Sequence, residues 1–163
     1  MDAAVEMTME RVRRVYETDH VRLWRSVYGF ARSRHVADEA VAETFAQALR
    51  RGDELRDVQA WVWRTAFAIA RGELQRASTS GGTHDDVADL VFERVDEGPG
   101  LSNLMESLSG LSHDDREILV LCHVGGWTAG ELGPVLGESS GALRVRLHRA
   151  TKRARALLDG EVR

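Results

Sequence analysis

Apolar residues along this chain recur mostly at helical spacing. Residues 8–34, 37–50 and 58–76 each place them three and four positions apart, as amphipathic helices do. We find no sustained alternation of apolar and polar positions and no hairpin dipeptide between apolar runs, so the pattern predicts no strands. The first half of the chain is therefore predicted to form an all-α domain of three to four helices.

The third of these helices is predicted to pack on two sides. At about 100° per residue, Val62 and Ala66 belong to one apolar side, whereas Trp63 and Phe67 belong to another. The narrow polar strip between the two sides contains Arg64, Ala68, Arg71 and Gln75, and Trp61 borders it. Such a helix is buried on both flanks and exposes only this strip.

Capping signals divide the second half of the chain into shorter helices. Ser112 followed by Asp115 resembles a capping box and predicts a helix at 113–123. Thr128 followed by Glu131 is a second such box, and a short helix is predicted to start there.

That short helix, at 129–136, is predicted to be irregular. Pro134 lies about six residues into it, where proline lacks an N–H and clashes with the carbonyl four residues back. We therefore expect a distorted or late-starting helix. Gly137 suits the left-handed residue that follows, and Ser139 or Ser140 can cap the last helix.

The last helix carries only positive charge. The eighteen residues 141–158 hold six Arg or Lys and no Asp or Glu, in a chain whose formal net charge is −4. Apolar positions occupy about 100° of arc, and basic residues fill the rest, with Val145 among them. A solvated surface helix is the alternative, but such helices usually mix both signs of charge. A short capped helix, a glycine turn and a basic helix are typical of a helix-turn-helix unit that contacts nucleic acid.

Acidity is concentrated in the middle of the chain. Residues 1–77 hold 13 basic and 12 acidic side chains, residues 78–100 hold one and six, and residues 101–163 hold eight of each. The acidic segment opens with Ser, Thr and Gly and closes with Gly-Pro-Gly, a composition typical of linkers. We therefore predict a domain at 1–77, an acidic flexible linker at 78–103 and a second domain at 104–163.

The remaining composition excludes several classes of protein. Cys122 is the single cysteine, so no internal disulfide can form, and no apolar run approaches the roughly 20 residues of a membrane span. We expect a cytoplasmic protein without membrane insertion. The six histidines show no metal-ligand spacing with Cys122, and no phosphate loop or nucleophile motif occurs. We expect no metal, no cofactor and no enzymatic activity.

Two motifs together resemble a known family. The segment LSHDDREILVLCHVGGWTAGELGPVLGESSGALRVRLHRA, residues 111–150, closely resembles region 4 of bacterial sigma factors. The segments ADEAVAETFAQALR and AWVWRTAFAIARGELQR, residues 37–50 and 60–76, resemble region 2. Their order and separation are similar to those of the extracytoplasmic-function (group IV) class of the sigma-70-like family. The resemblance implies two small helical domains and a dissociable subunit that binds core RNA polymerase and directs it to promoters.

The resemblance also implies where each partner would bind. The second helix would dock on the clamp helices of the polymerase β′ subunit through Asp38, Glu39, Glu43, Thr44, Phe45 and Gln47. The strip of the third helix would face the −10 element through Trp61, Arg64, Arg71, Gln75 and Arg76. The last helix would enter the major groove at the −35 element through Ser140, Arg144, Val145, Arg146, His148, Arg149, Lys152 and Arg153. The polymerase β flap and an anti-sigma factor are further implied partners.

Three positions depart from the family pattern. The family usually has Gln where this chain has Ala42, and Asn and Asp where it has Ala68 and Gly72. These departures keep open a degenerate sigma-like protein that binds a partner without melting promoters. A helix-turn-helix regulator that acts without polymerase is the other alternative, because the basic last helix would serve it equally well.

Overall fold

A computed structural model describes residues 2–80, 106 and 108–161 of the 163-residue chain. These residues form helices and turns without a strand, which confirms the all-α prediction. In chain order the α-helices are α1 (Ala3–Ala31), α2 (Arg34–Arg51), α3 (Val58–Ser80), α4 (His113–His123), α5 (Gly133–Leu136) and α6 (Ser140–Glu161). Helix α3 extends into the predicted linker as far as Ser80, and the linker from 81 to 103 lies outside the described residues.

The first two helices begin and end where capping groups place them, and not where apolar periodicity stops. Asp2 caps α1, which begins sooner than predicted. At its other end Arg32 adopts a left-handed conformation with φ of 54°, and its N–H donates to the Tyr28 carbonyl. The Ser33 hydroxyl then accepts a backbone hydrogen bond of 3.2 Å and starts α2. Helix α1 therefore ends at Ala31, also sooner than predicted.

Both predicted apolar sides of α3 are buried. Val62, Trp63 and Ala66 are fully buried among α1, α2 and α3, which we call the first unit. Arg64 and Ala68 are exposed on the strip between the two sides. The wheel prediction for this helix is confirmed.

A buried carboxylate joins α1 to α3. Asp19 is 2% exposed, and its Oδ2 accepts hydrogen bonds of 2.8 Å from both Gln59 Nε2 and Trp63 Nε1. The Thr18 hydroxyl donates to its other oxygen, and the Arg22 guanidinium lies 3.5 Å away. A buried charge is tolerated when its lone pairs are satisfied in this way. Asp19 therefore fixes how these two helices meet.

The second unit consists of α4, α5 and α6. Helices α4 and α6 start at predicted caps, Ser112 and Ser139, whereas α5 has no side-chain cap and does not start at the Thr128 box as predicted. Helix α4 begins after Ser112, whose hydroxyl accepts from the Asp115 N–H at 3.2 Å, as predicted. Helix α5 is a single turn that starts only at Gly133, with Pro134 in its first turn, so the prediction of a late start is confirmed. Gly137 is left-handed with φ of 70°, also as predicted.

The two units pack directly against each other. The rings of Trp63 and Trp127 meet edge to face with centroids 5.4 Å apart, and Phe30 meets His113 at 5.9 Å. Gly125 lies against the Trp63 ring, and a β-carbon there would come within 2.6 Å of a backbone oxygen and 3.0 Å of that ring. The glycine therefore permits the close approach of the turn after α4 to the first unit.

Candidate nucleic-acid interface

Helix α6 presents the basic face that the sequence predicts. Leu143 and Ala150 are fully buried and hold the helix on the second unit. The exposed side chains on the opposite face are Ser140, Arg144, Val145, His148, Arg149, Lys152 and Arg153. Val145 is 48% exposed in the middle of this face. An exposed valine among cations has no folding role, but it can contact a thymine methyl group.

Arg146 belongs to the same predicted set but lies in a different environment. Its side chain is 28% exposed, and its Nη1 donates to both carboxylate oxygens of Glu138 at 3.1 Å. Its Nη2 donates to the Asp114 carbonyl at 3.3 Å. Arg146 therefore ties α6 to the turn before it and to α4. The sequence analysis missed Glu138, because the pairing crosses a turn and follows no helical spacing.

Arg153 is also engaged within the second unit. Its Nη1 lies 2.9 Å from the Asp115 carboxylate at the start of α4. The Arg153 side chain is still 59% exposed, whereas that of Asp115 is 14% exposed. Transfer of Arg153 to a phosphate would therefore leave the largely buried Asp115 carboxylate without this partner.

Capping interactions set the angle at which α6 leaves the turn. The Ser139 hydroxyl accepts from the Ala142 N–H at 3.2 Å, so Ser139 is the cap of α6. Thr128 and Glu131 form the predicted reciprocal box, with hydrogen bonds of 3.1 and 3.2 Å. The hydrogen bond from Thr128 lowers the pKa of Glu131 and keeps it charged. These local contacts hold the helix-turn-helix geometry without a long α5.

The polar strip of α3 is only partly open. Trp61 is half-buried, with the Arg51 guanidinium 5.7 Å from its ring centroid. Arg64 is exposed, and its Nη1 lies 3.4 Å from the Pro134 carbonyl of the second unit. Gln75 and Arg76 are exposed toward the end of the helix. Four of the five predicted −10 residues, Trp61, Arg64, Arg71 and Gln75, therefore lie on or beside one strip, which the second unit reaches. Arg76 is turned about 100° away from Gln75 and pairs with Glu73.

Arg71, in the middle of that strip, is bound by two carboxylates of α4. Its Nη1 donates to Asp114 and its Nη2 to Glu117, both at 2.8 Å. Burial opposes the charge of Arg71, but the hydrogen bond to Asp114 and the charge of Glu117 outweigh it and raise the Arg71 pKa. The hydrogen bond from Arg71 lowers the pKa of Asp114, whereas burial raises the pKa of Glu117. The sequence analysis did not find this contact, since it joins residues more than forty positions apart.

The predicted docking residues of α2 divide into an exposed and a buried group. Asp38, Glu39 and Glu43 are exposed, and Gln47 is half-buried. The Gln47 amide donates to Glu43 at 2.9 Å, which lowers the Glu43 pKa and keeps it charged. The other two members, Thr44 and Phe45, are buried.

Thr44 and Phe45 contribute to the structure of the first unit. Thr44 is fully buried, and its hydroxyl donates to the Ala40 carbonyl at 2.7 Å. Phe45 is 7% exposed and meets the Tyr16 ring edge to face at 5.0 Å. A partner can reach only the edge of Phe45, through a groove.

That groove lies between α1 and α2 and was not predicted. It has a volume of about 410 Å³ and is lined mainly by apolar side chains, including Tyr16, Trp24, Val41 and Phe45. Ala42 also lines it. The departure at this position therefore leaves a small apolar wall beside the charged docking residues, where a glutamine would have added a polar head.

Among residues 2–80, 106 and 108–161, no three His, Cys, Asp or Glu side chains are grouped as metal ligands would be. Over the same residues, none of the helices has the length and apolar character needed to cross a bilayer.

Two helical units with a basic helix-turn-helix are typical of a DNA-binding protein, and comparison with known proteins identifies its family. The family description Sigma-70, region 4 matches residues 101–153. The ECF RNA polymerase sigma factor ShbA of Streptomyces griseus is 36% identical over an alignment of 145 positions, which covers 78% of this chain and 74% of ShbA. The RNA polymerase sigma factor CarQ of Myxococcus xanthus is 35% identical over an alignment of 102 positions, which covers 60% of this chain and 59% of CarQ.

A solved structure shares the fold. The sigma factor RpoE of Bartonella quintana, crystallised with the anti-sigma factor NepR, superposes with a TM-score of 0.72 at 18% identity, over 90% of this chain and 96% of RpoE. The chain belongs to the ECF family of RNA polymerase sigma factors. Its role is therefore in transcription initiation with RNA polymerase, as the resemblance of regions 2 and 4 implied.

Proposed function

We propose that this chain binds core RNA polymerase and selects promoters by reading a −35 element with α6 and a −10 element with α3. The observation that carries the proposal is the face of α6, where exposed residues of one charge sign surround an exposed valine. A face of this kind repels itself unless a polyanion lies against it. The preceding turn and caps give it the geometry of a recognition helix.

Contacts to the −35 element divide into reading and positioning groups. Arg144 and Val145 face outward from the first turns of α6, where a recognition helix reaches base edges. Arg149 and Lys152 lie farther along and suit phosphates. Arg146 is already held by Glu138, so we assign it to positioning the helix and not to base contact.

Contacts to the −10 element would come from the strip of α3. Arg64, Gln75 and Arg76 are exposed there, and half-buried Trp61 can stack on an unpaired base. Ala68 leaves this strip with one fewer hydrogen-bonding side chain. We propose that binding relies on charge and stacking at this element.

Docking on the polymerase would use the exposed carboxylates of α2. Asp38, Glu39 and Glu43 form a charged edge beside the apolar groove, a combination of polar rim and apolar centre that suits protein recognition. We propose the β′ clamp helices as the partner of this edge and the β flap as the partner of the second unit. The functional domains then correspond to 1–77 and 104–163.

A protein inhibitor is a further proposed partner. RpoE, which shares this fold, was crystallised with the anti-sigma factor NepR. We propose that an anti-sigma factor binds the present chain over its docking and DNA-reading faces, in the cytoplasm, where transcription takes place.

The first test is assembly with polymerase. Purified chain is mixed with bare bacterial core RNA polymerase, separated on a sizing column and assayed for transcription from a pool of promoter fragments. Co-elution with selective transcripts is expected. Co-elution without transcripts would favour the degenerate alternative, and duplex DNA binding without co-elution would favour a polymerase-independent regulator.

A pair of variants assigns the docking edge. Glu43→Ala removes an exposed carboxylate of the edge, and Glu54→Ala removes an exposed carboxylate of the turn after α2. We expect weaker co-elution for Glu43→Ala, with an unchanged circular dichroism spectrum, and normal co-elution for Glu54→Ala. Normal docking by the folded Glu43→Ala protein would refute the assignment.

A further inference from the structure

The contact between Arg71 and α4 occupies a surface that DNA would need. Arg71 is part of the proposed −10 strip, yet its guanidinium is bound at 2.8 Å by each of two carboxylates from the second unit. Carboxylates and phosphates accept the same paired hydrogen bonds from arginine. Asp114 and Glu117 thus hold Arg71 as a DNA phosphate would.

Other residues on and near the strip of α3 also contact the second unit. Arg64 donates to the Pro134 carbonyl, and Trp127 packs on Trp63, which lies on a buried flank of the same helix. Phe30 lies between two cations, because the Arg71 and Arg116 guanidinium groups are 5.8 and 5.7 Å from its ring. The second unit therefore contacts the strip at Arg64 and at Arg71, on either side of the exposed Ala68.

The interface between the two units buries polar groups that have no hydrogen-bond partner. Trp127 Nε1 and Arg116 Nε are buried there without a hydrogen-bond partner among the described residues. Burial also lowers the pKa of Arg116. Each unsatisfied buried donor costs free energy that packing must offset. The ion pairs of Arg71 are therefore well placed to decide whether the interface stays closed.

We propose that the contact of Arg71 with Asp114 and Glu117 is an autoinhibitory latch, which closes the free chain and competes with DNA for the strip of α3. This inference rests on the proposed function of that strip. Polymerase opens the latch when it separates the two units. In the closed free chain, binding to DNA without polymerase is suppressed. Because only open molecules bind DNA through the strip, the apparent affinity of the free chain equals the affinity of the open form multiplied by the open fraction.

The test compares two double variants of the full-length chain. Asp114→Asn/Glu117→Gln removes the latch carboxylates and keeps their shapes. Glu17→Gln/Asp159→Asn removes the same number of negative charges, both from exposed side chains away from the interface, so it controls for net charge. Small-angle X-ray scattering measures the radius of gyration, and fluorescence anisotropy measures binding of a labelled random-sequence single-stranded DNA.

We expect the latch variant to have a larger radius of gyration than both the wild type and the control. We expect it to bind the single strand about three- to tenfold more tightly than the control, as the closed fraction is lost. Equal radii and equal affinities for the two double variants would overturn the latch. Should the buried change at Glu117 prevent folding, Asp114→Asn alone serves, since the Asp114 side chain is 69% exposed.

An exchange of charges makes the test specific. The exchange is made in a Glu117→Gln background, so that no second carboxylate faces position 71. In that background Asp114→Arg is expected to open the chain, and the addition of Arg71→Glu is expected to restore the smaller radius. Failure of the exchange to compact the chain would count against a direct pairing.

Co-elution with core polymerase is measured for every variant and reports the proposed function separately. A latch variant that opens and binds the single strand more tightly but never joins polymerase would remove polymerase docking from the proposed function and leave the latch. Normal assembly with no difference between latch and control variants would remove the latch alone.

Discussion

Neighbouring arginines of α6 carry different tasks because their surroundings differ. Arg144 is exposed, whereas Arg146 makes hydrogen bonds to Glu138 and to the Asp114 carbonyl. Helical geometry turns these two positions about 200° apart. One side chain is thus free to reach DNA, and the other holds the helix in place.

Substituting each arginine by alanine should separate these tasks. We expect Arg144→Ala to weaken binding to the preferred −35 duplex by about 1–3 kcal/mol relative to a scrambled duplex, through loss of a base contact. Anisotropy titrations on both duplexes measure the difference. An equal loss on both would show that Arg144 touches phosphate only.

Arg146→Ala should instead affect folding. We expect the free energy of unfolding to fall by about 1–2 kcal/mol, because Glu138 loses its partner and α6 loses a tie to α4. Chemical denaturation measures this change. A loss of sequence preference with unchanged stability would contradict the positioning role.

The buried Asp19 should contribute strongly to the stability of the first unit. Asp19→Ala leaves two donors, Gln59 Nε2 and Trp63 Nε1, near a cavity in the first unit. We expect a loss of about 3 kcal/mol in the free energy of unfolding, whereas the exposed Asp159→Ala control should change it by less than about 0.5 kcal/mol. Similar denaturation midpoints for both variants would refute the buried network.

Among the helices, α3 combines strong burial with a weak point in its own backbone. Val62, Trp63 and Ala66 anchor it fully in the core, but Gly72 interrupts its second half. A glycine inside a helix loses more conformational freedom on folding than other residues do. Residues 73–79 are half-buried or exposed, so neither packing nor Gly72 strengthens α3 beyond this point.

Replacing glycine by alanine should have opposite effects at two positions. A β-carbon at Gly72 meets nothing within 4 Å, so Gly72→Ala should stabilise the protein by about 0.5–1 kcal/mol. A β-carbon at Gly125 would come within 2.6 Å of the Leu121 carbonyl oxygen, so Gly125→Ala should destabilise it. Thermal melts followed by circular dichroism distinguish the two, and a destabilised Gly72→Ala would indicate an unseen contact.

The helices themselves could be predicted from the sequence wherever periodicity and capping agree. Helix α4 begins and ends as Ser112 and the apolar spacing indicate, and α5 starts late because of Pro134. The end of α1 could not be predicted, since Arg32 takes a left-handed conformation that mostly glycine adopts.

The candidate nucleic-acid interface could be predicted from the sequence where its residues lie on one helix. The exposed face of α6 is visible in its charge pattern. The partners of Arg71 and Arg146 were not, because each contact depends on how separate helices pack. The burial of Thr44 has the same origin, since only the packing of α2 on its neighbours encloses it.

At the scale of the whole molecule, the two units meet at an interface that contains a titratable ring. His113 lies beside Phe30, and burial and then the charges of Arg116 and Arg71 lower its pKa, although Asp114 acts in the opposite direction. Protonation of His113 adds a cation to a place that already holds two. The interface is therefore expected to weaken in mild acid.

The sign of this effect follows from proton binding. The unfolded chain holds a proton on His113 at a higher pH than the folded chain does, so stability contributed by the neutral ring is lost as pH falls through the ordinary histidine range, near 6.5. We expect the free energy of unfolding to fall between about pH 7.5 and 5.5, and to fall less in His113→Gln. Glu117, whose raised pKa acts in the opposite direction, titrates in both proteins. An identical pH dependence of the two proteins would contradict this account.

Val145 has a consequence for how such a protein can evolve. Its side chain is half in solvent on the outer face of α6, and exposed positions of this kind accept most replacements with little change in stability. With the base-reading role that we propose for Val145 and Arg144, drift at either position would alter which bases are preferred while the folded scaffold is inherited intact. Arg146 has no such freedom, because its loss weakens the scaffold itself. A gene duplicate could therefore acquire a new set of promoters through one or two outward-facing changes.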